Sequence, residues 1–451
     1  MSMRAIRPPR ELFDFAQVLH AAGKACFLVG GAVRDYLLGR EVNDFDAATD
    51  ARPEEIVRSY KRVIPTGIKH GTVTVLFKGL EIEVTTFRTE SEYADGRHPD
   101  KVEFASTIEE DLSRRDFTIN AMAFDLATRL LLDPHGGRED LGRRLVRAVG
   151  DPIERFREDG LRPLRAVRFA AQLGFNLEAA TLAAIRPSID RFRLVSAERV
   201  RDELQKILLS PLPSRALRLL EETGLLEAIS PELAVCRGVD QRGMHVFDVL
   251  DHLFASVDAA PPELVLRLAA ILHDIGKPEA KEEKPGGDPT FYRHEEYSAR
   301  VAEELLKRLR FPNALVDEVA HLVSCHMFSY DESWSDAAVR RFIARVGTDS
   351  IDRLFDLRLA DGTAITGVPA DPRSLDPLRE RIEAILAAKE AFGIADLAVK
   401  GGDLMAIGIP SGPQMGALLR ELLETVIDDP SLNERGRLLE IAERLKPKYG
   451  L

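Results

Sequence analysis

Two aspartates separated by one residue, Asp44 and Asp46, lie in the run VGGAVRDYLLGREVNDFDAATD at 29–50. On a strand, side chains two apart point the same way. With Phe45 turned into the core, the pair presents two carboxylates on one face, a ligand set for hard cations such as Mg²⁺. Two such ions activate an attacking 3′-hydroxyl and stabilise the pyrophosphate leaving an NTP. EIEVTTFR at 81–88 offers a third carboxylate, Glu81 or Glu83, with Glu83 favoured beside the strand's apolar half. Upstream, Gly30 and Gly31 end a strand and begin a helix. Without Cβ atoms they let a phosphate approach the backbone, and the helix start supplies free N–H groups. Arg34, one turn in, reaches the same phosphates. A DxD alone reads as a solvated acidic edge; the glycine pair, the DxD and a downstream acidic strand in this order read as chemistry.

The elements that must position these groups follow from periodicity. Phe27–Val29, Asp44–Ala48, Val73–Phe77 and Glu81–Phe87 read as strands, and 11–22 and 32–38 as helices. The fold class is therefore α+β: a small mixed head over 1–140, then a nearly all-helical remainder. That remainder divides into a neck at 141–235, a histidine- and aspartate-rich unit at 236–365 and a helical tail at 366–451, with 401–413 read as turn-rich. The segments 162–172, 142–149 and 196–206 place arginines along helices as local basic patches. The loop 280–290 should be exposed.

The bulk numbers exclude several classes. Lys and Arg total 62 against 74 Asp and Glu, a net charge of −12, so any nucleic-acid contact needs local basic patches. Cys26, Cys236 and Cys325 are too scattered for a disulfide framework, which fits a reducing compartment. The first residues lack a leader's apolar core, and no apolar run approaches the roughly 20 residues of a membrane helix. The expectation is a cytoplasmic chain without a membrane partner, its oligomeric state unknown.

The run GGAVRDYLLG…DFDAAT resembles the class II tRNA nucleotidyltransferase family, whose polymerase-β-like head is shared with bacterial poly(A) polymerases. LSRRDFTINAMAFD (112–125) is similar to that family's ribose motif, which implies that Arg115 and Asp116 face the nucleotide's 2′-hydroxyl side. LLDPHGGREDL (131–141) is similar to its head–neck hinge, with Gly136 and Gly137 as the joint. ERFREDGLRPLRAVRFA (154–170) resembles its EDxxR motif. The resemblance implies that Asp159 and Arg162 read the incoming base, with Glu158 orienting the arginine and Arg165 among the nucleotide contacts. At i and i+3 on a helix, Asp159 and Arg162 would share a face, although Gly160 and Pro163 imply either a helix start at Leu161 or a kinked helix. Glu198 and Arg199 would brace the neck. The loop 87–104 looks full length, which in the family implies CCA or A-only addition. The implied function is template-independent addition of C, C and A to the tRNA acceptor arm from CTP and ATP. The alternatives are an A-adding enzyme, a poly(A) polymerase, or a phosphohydrolase with a nucleotide-sensing head.

LRLAAILHDIGKPEAK (266–281) resembles the HD phosphohydrolase superfamily. The resemblance implies a metal cage from His245, His273, Asp274 and Asp361, with His294 and His326 where binuclear members carry extra histidines. His252 is the alternative to His245 and His321 to His326. Imidazole and carboxylate ligands suit Mn²⁺, Ni²⁺, Co²⁺ or Fe²⁺.

Overall fold

The structure, a computed structural model, describes residues 4–68, 71–90, 102–241, 243–282, 289–388 and 391–449. Most of the loop at 87–104 and of the loop at 280–290 lies outside these residues. The chain divides into two compact units, one of Met1–Ala234 with Arg308–Phe311 and one of Val235–Lys307 with Pro312–Leu451.

The first unit opens with helix α1 (Arg10–Ala21), strand β1 (Cys26–Val29), α2 (Gly31–Leu38), β2 (Phe45–Thr49) and α3 (Pro53–Ser59). Strands β3 (Val63–Gly67), β4 (Thr72–Phe77) and β5 (Leu80–Thr86) follow, then the hairpin β6 (Arg88–Glu90) and β7 (Val102–Phe104). Helix α4 (Ile108–Ser113), β8 (Ala123–Asp125) and β9 (Leu131–Leu132) complete the head. Seven strands form one sheet in the order β3-β4-β5-β2-β1-β8-β9. β2 and β5 run parallel and the other neighbours antiparallel. The alternation that marks β5 in the sequence holds: Ile82, Val84 and Thr86 are buried while Glu81 and Glu83 are exposed. Asp44 falls just ahead of β2 and is exposed, so only Asp46 of the pair is on the strand itself.

The first unit continues with helices that include α5 (Gly137–Arg143), α6 (Pro152–Glu158), α7 (Arg162–Leu173), α8 (Ala179–Ala183), α9 (Ile189–Phe192), α10 (Ala197–Leu208) and α11 (Pro213–Thr223). The short strands β10 (Leu145–Val146) and β11 (Asn176–Leu177) pair in parallel. Asp151 caps α6, accepting from the N–H groups of Ile153 and Glu154 at 2.8 and 3.0 Å. Gly136 has a left-handed φ of 73°, and a Cβ on Gly137 would lie 2.1 Å from the Thr118 carbonyl oxygen. The absence of a Cβ at Gly137 therefore lets α5 lie directly on backbone. Likewise a Cβ on Gly160 would come within 2.5 Å of the Arg191 carbonyl oxygen.

The second unit contains α12 (Val249–Ala259), α13 (Leu264–Leu272), α14 (Lys277–Ala280), α15 (His294–Arg308), α16 (Asn313–Cys325), α17 (Asp336–Val346) and α18 (Ile351–Thr366). Helices α19 (Asp376–Ala387), α20 (Gly401–Ala406), α21 (Pro413–Asp428) and α22 (Arg435–Leu445) follow. The turn-rich segment begins as a helix, because the Asp403 carboxylate accepts from the Lys400 N–H at 2.8 Å and closes its first turn. The tail packs on its own core of Leu404, Leu418, Leu422, Val426 and Leu438. All three cysteines are buried free thiols, and no helix among the described residues is long and apolar enough to cross a membrane.

Candidate active site and metal centre

Sheet register brings the head's acidic groups together. Val29 of β1 is the cross-strand partner of Asp46, and Asp46 is the partner of Glu83. Gly30 continues from Val29 at φ 69°, and a Cβ there would lie 3.0 Å from an Arg115 nitrogen and 3.3 Å from Asp46 Oδ2. Glycine is thus required both by backbone shape and by the groups crowding it. Burial raises the Asp46 carboxyl to about 6, and the negative charges of Glu83 and Asp44 push the same way against Arg115 and Arg34. A half-buried carboxylate repelled by two others is the electrostatic signature of a cation site. Asp46 and Glu83 line a cavity of about 610 Å³ with Gly30, Gly31 and Arg34; Asp44 is not among its lining residues.

Seven arginines line the same cavity against four carboxylates, an excess of positive charge suited to polyphosphate. Arg34 Nη1 donates to Asn120 Oδ1 at 2.8 Å, and Asn120 Nδ2 donates to Asp116 Oδ1 at 3.2 Å. Asp116 Oδ2 accepts from Arg165 at 2.6 Å. Burial alone would raise the Asp116 carboxyl, but Arg165, Asn120 and Arg162 together outweigh it and hold it at about 2. Arg165 lies 3.7 Å from Glu203, which sits 2.5 Å from Arg168. Three guanidiniums, those of Arg34, Arg165 and Arg168, lie within 5.4 Å of the Phe169 ring centre. Arg115 pairs with the buried Asp111 at 3.3 Å, as does Arg114 at 2.8 Å.

Asp159 and Arg162 both line the cavity, but they do not share a helix face. Helix α6 ends at Glu158 and α7 begins at Arg162, because Pro163 fits only a first turn. Asp159 lies in the extended break between them and is held by both nitrogens of Arg199, at 2.7 and 3.1 Å. Arg162 donates to Glu158 at 2.5 Å and to the Arg114 carbonyl at 2.9 Å. The arginines at 162, 165 and 168 of the basic segment line the cavity together. Asn120, Phe169, Arg168 and Glu203 were not singled out in the sequence. Asn120 had a signal, its place in TINAMA; the others are neighbours on α7 and α10 that only packing reveals.

In the second unit, His252, His273 and Asp274 converge, as do Asp274, His294 and His326, with ligand atoms within 4.8 Å of one another in each group. His252 Nε2 lies 3.1 Å from His273 Nε2 and 3.2 Å from Asp361 Oδ1. His294 Nε2 lies 3.3 Å from His326 Nε2 and 3.1 Å from Asp274 Oδ1. Two ligands bound at about 2.1 Å around one tetrahedral ion sit about 3.4 Å apart, so these spacings fit shared cations. The Nδ1 atoms of His273, His294 and His326 face the carbonyls of Ala270, Phe291 and Val323 at 2.9, 2.8 and 2.7 Å. Donation there leaves the Nε2 of a neutral ring with a bare lone pair; at His273 the Asp274 and Asp361 carboxylates outweigh burial and raise the ring to about 10. Burial keeps His326 neutral, its pKa lowered to about 3. Asp274 Oδ1 is buried without a hydrogen-bond partner, an acceptor oriented toward the ring nitrogens. Lys277 Nζ lies 2.6 Å from the other Asp274 oxygen.

His245 is not in the cluster. Helix α12 starts at Val249 behind the Asp248 cap, so the two-turn spacing that would align His245 with His252 is broken; His245 is in neither ligand group, although its ring lies 5.3 Å from that of His252. His252 takes the place proposed for it. His321 is occupied elsewhere, its Nε2 2.7 Å from the Val346 carbonyl, which leaves the cluster to His326.

The mixed sheet, the glycine turn beside Asp46 and the arginine-walled cavity define a nucleotidyltransferase head. The family model described as "Poly A polymerase head domain" matches residues 26–147, "Probable RNA and SrmB- binding site of polymerase A" matches 174–236, and "HD domain" matches 242–365. The chain belongs to the CCA-adding enzyme family. It is 35% identical over 439 residues to the CCA-adding enzyme of Geobacillus stearothermophilus, with 96% of each chain covered. It is also 35% identical over 425 residues to that of Lactobacillus johnsonii, with 94% of each covered. Among solved structures it is similar to the Bacillus stearothermophilus CCA-adding enzyme in complex with CTP, at a TM-score of 0.73 and 32% identity over 98% of this chain and 99% of that one.

Proposed function

We propose that this enzyme adds C, C and A to the 3′ end of tRNA from CTP and ATP, without a template. The observation that carries this reading is the register pairing of Asp46 with Glu83 in the wall of an arginine-lined cavity beside Gly30. Asp44, Asp46 and Glu83 would hold Mg²⁺, which when bound lowers the charge cost of hydroxyl attack and pyrophosphate departure. Gly30 and Gly31 leave room for the triphosphate, and Arg34 and Arg115 neutralise it. Asn120 and Asp116 face the sugar. Asp159 offers acceptors and Arg162 donors to the base edge, so an unmatched base leaves buried polar groups without partners. Divisions near 140, 235 and 365 into head, neck, HD unit and tail belong to this reading, as do a tRNA-gripping tail and a cytoplasmic location.

The HD unit supports a second activity, hydrolysis of phosphoesters on nucleotides or damaged tRNA ends. His252, His273, Asp274, His294, His326 and Asp361 would hold Mn²⁺, Fe²⁺, Co²⁺ or Ni²⁺.

The test is incubation of the protein with tRNA lacking CCA and with NTPs singly and together. Completion requires both CTP and ATP and stops after one A, and Asp46→Ala lowers incorporation by at least about 10³-fold. A run of A residues from ATP alone, or incorporation that survives Asp46→Ala, refutes the reading.

A further inference from the structure

The head carries a second basic surface that the nucleotide site does not use. Residues Arg4–Pro8 cross the C-terminal end of α2, where the Arg4 N–H donates to the Leu37 carbonyl at 3.1 Å. Two cavities, of about 490 and 420 Å³, share Arg4, Ala5 and Arg7 in their walls. Arg129 and Arg138 complete the first and Arg40 the second. None of their lining residues lines the nucleotide cavity. The two sites lie at opposite ends of α2, an 8-residue helix about 12 Å long.

All five arginines are exposed, and none has a carboxylate partner within 4 Å among the described residues. Elsewhere in this unit Arg34, Arg114, Arg143 and Arg147 each hold one, in Asp35, Asp111, Glu139 and Asp140. In a chain of net charge −12, five guanidiniums without counter-charges mark a surface kept for an external anion. Arg129 adds to this. It holds a left-handed φ of 61°, a conformation costly for any residue with a Cβ, with its guanidinium 4.8 Å above the Phe13 ring. Phe13 and Phe124 supply apolar wall between the charges.

We infer that this surface binds the phosphodiester backbone of RNA. Two joined grooves with arginines along both suit a polymer of repeated phosphates better than a single phosphate group, and guanidiniums beside aromatic wall suit a nucleic acid. The inference rests on the reading above that the acceptor is RNA. It places a contact on the back of the head in addition to the site where the 3′ end reacts.

The test is the salt dependence of tRNA binding to the full chain, wild type against Arg7→Gln/Arg40→Gln/Arg129→Gln/Arg138→Gln. Arg4 is retained because its side chain packs at Gly39. The variant should bind tRNA about tenfold more weakly near 0.1 M salt, with a log Kd against log salt slope shallower by about 3. Its affinity for CTP should be unchanged. Wild-type RNA affinity and slope in the variant overturn the inference, as does a matching loss of CTP affinity, which would make these arginines supports of the fold. A parallel titration with pyrophosphate separates the sources of phosphate: pyrophosphate binding that depends on the four arginines, with an unaltered RNA slope, also overturns it. A wild-type protein that fails to extend tRNA but keeps the arginine-dependent slope would remove the proposed function and leave this surface in place.

Discussion

At the scale of single residues, Asp46 is the most informative group. Its carboxyl is raised from an ordinary 3.8 to about 6 by burial and by neighbouring negative charge. A raised carboxyl holds its proton more tightly folded than unfolded. That contribution to stability is complete below about 3.8 and is lost as pH rises through about 6. A divalent cation competes with the same proton. Mg²⁺ affinity measured by calorimetry should therefore climb about tenfold per pH unit up to about pH 6 and flatten above it. In Asp46→Asn this rise should vanish; an identical profile in both proteins would remove Asp46 from the ligand set. The aspartate pair was legible in the sequence because two carboxylates at strand spacing beside a glycine turn have few structural uses. The place of Asp44 was not, since strand ends depend on pairing with β1 and β5, which local sequence does not encode.

Elements decide which of two similar residues reaches a site. His245 and His252 are seven apart, two turns of a continuous helix, and periodicity alone gives no choice between them. The Asp248 cap starts α12 after His245 and makes the choice. His252→Ala should lower the metal content of the purified protein, measured by elemental analysis, by at least about half, while His245→Ala should leave it near wild type. Equal losses would mean that the loop before α12 folds onto the cluster when metal binds. The break between α6 and α7 has the same lesson. Gly160 and Pro163 signal either a helix start or a kink, but not that Asp159 would be claimed by Arg199 from α10, because that contact spans 40 residues.

For the whole molecule, the nucleotide cavity and the histidine cluster fall in different compact units with no shared residue. Asp274→Ala should abolish metal-dependent phosphoester hydrolysis while nucleotide incorporation stays within about twofold of wild type, and Asp46→Ala should do the reverse. Loss of both activities in either variant would show that the sites depend on each other. Helical neck and tail were readable from apolar spacing. The arginine surface on the head was not, because its members come from four separate stretches, 4–7, 40, 129 and 138, that only the fold collects. The buried sulfurs carry a practical consequence. Burial pushes the Cys26 and Cys236 thiols far above their usual range, and Cys325 is covered as well. Thiolate, the form that maleimides and oxidants attack, is thus suppressed at the first two and sterically shielded at the third. A single cysteine introduced on the exterior would then be the one handle for a fluorophore, so distances within either unit can be followed in solution without first stripping the native sulfurs.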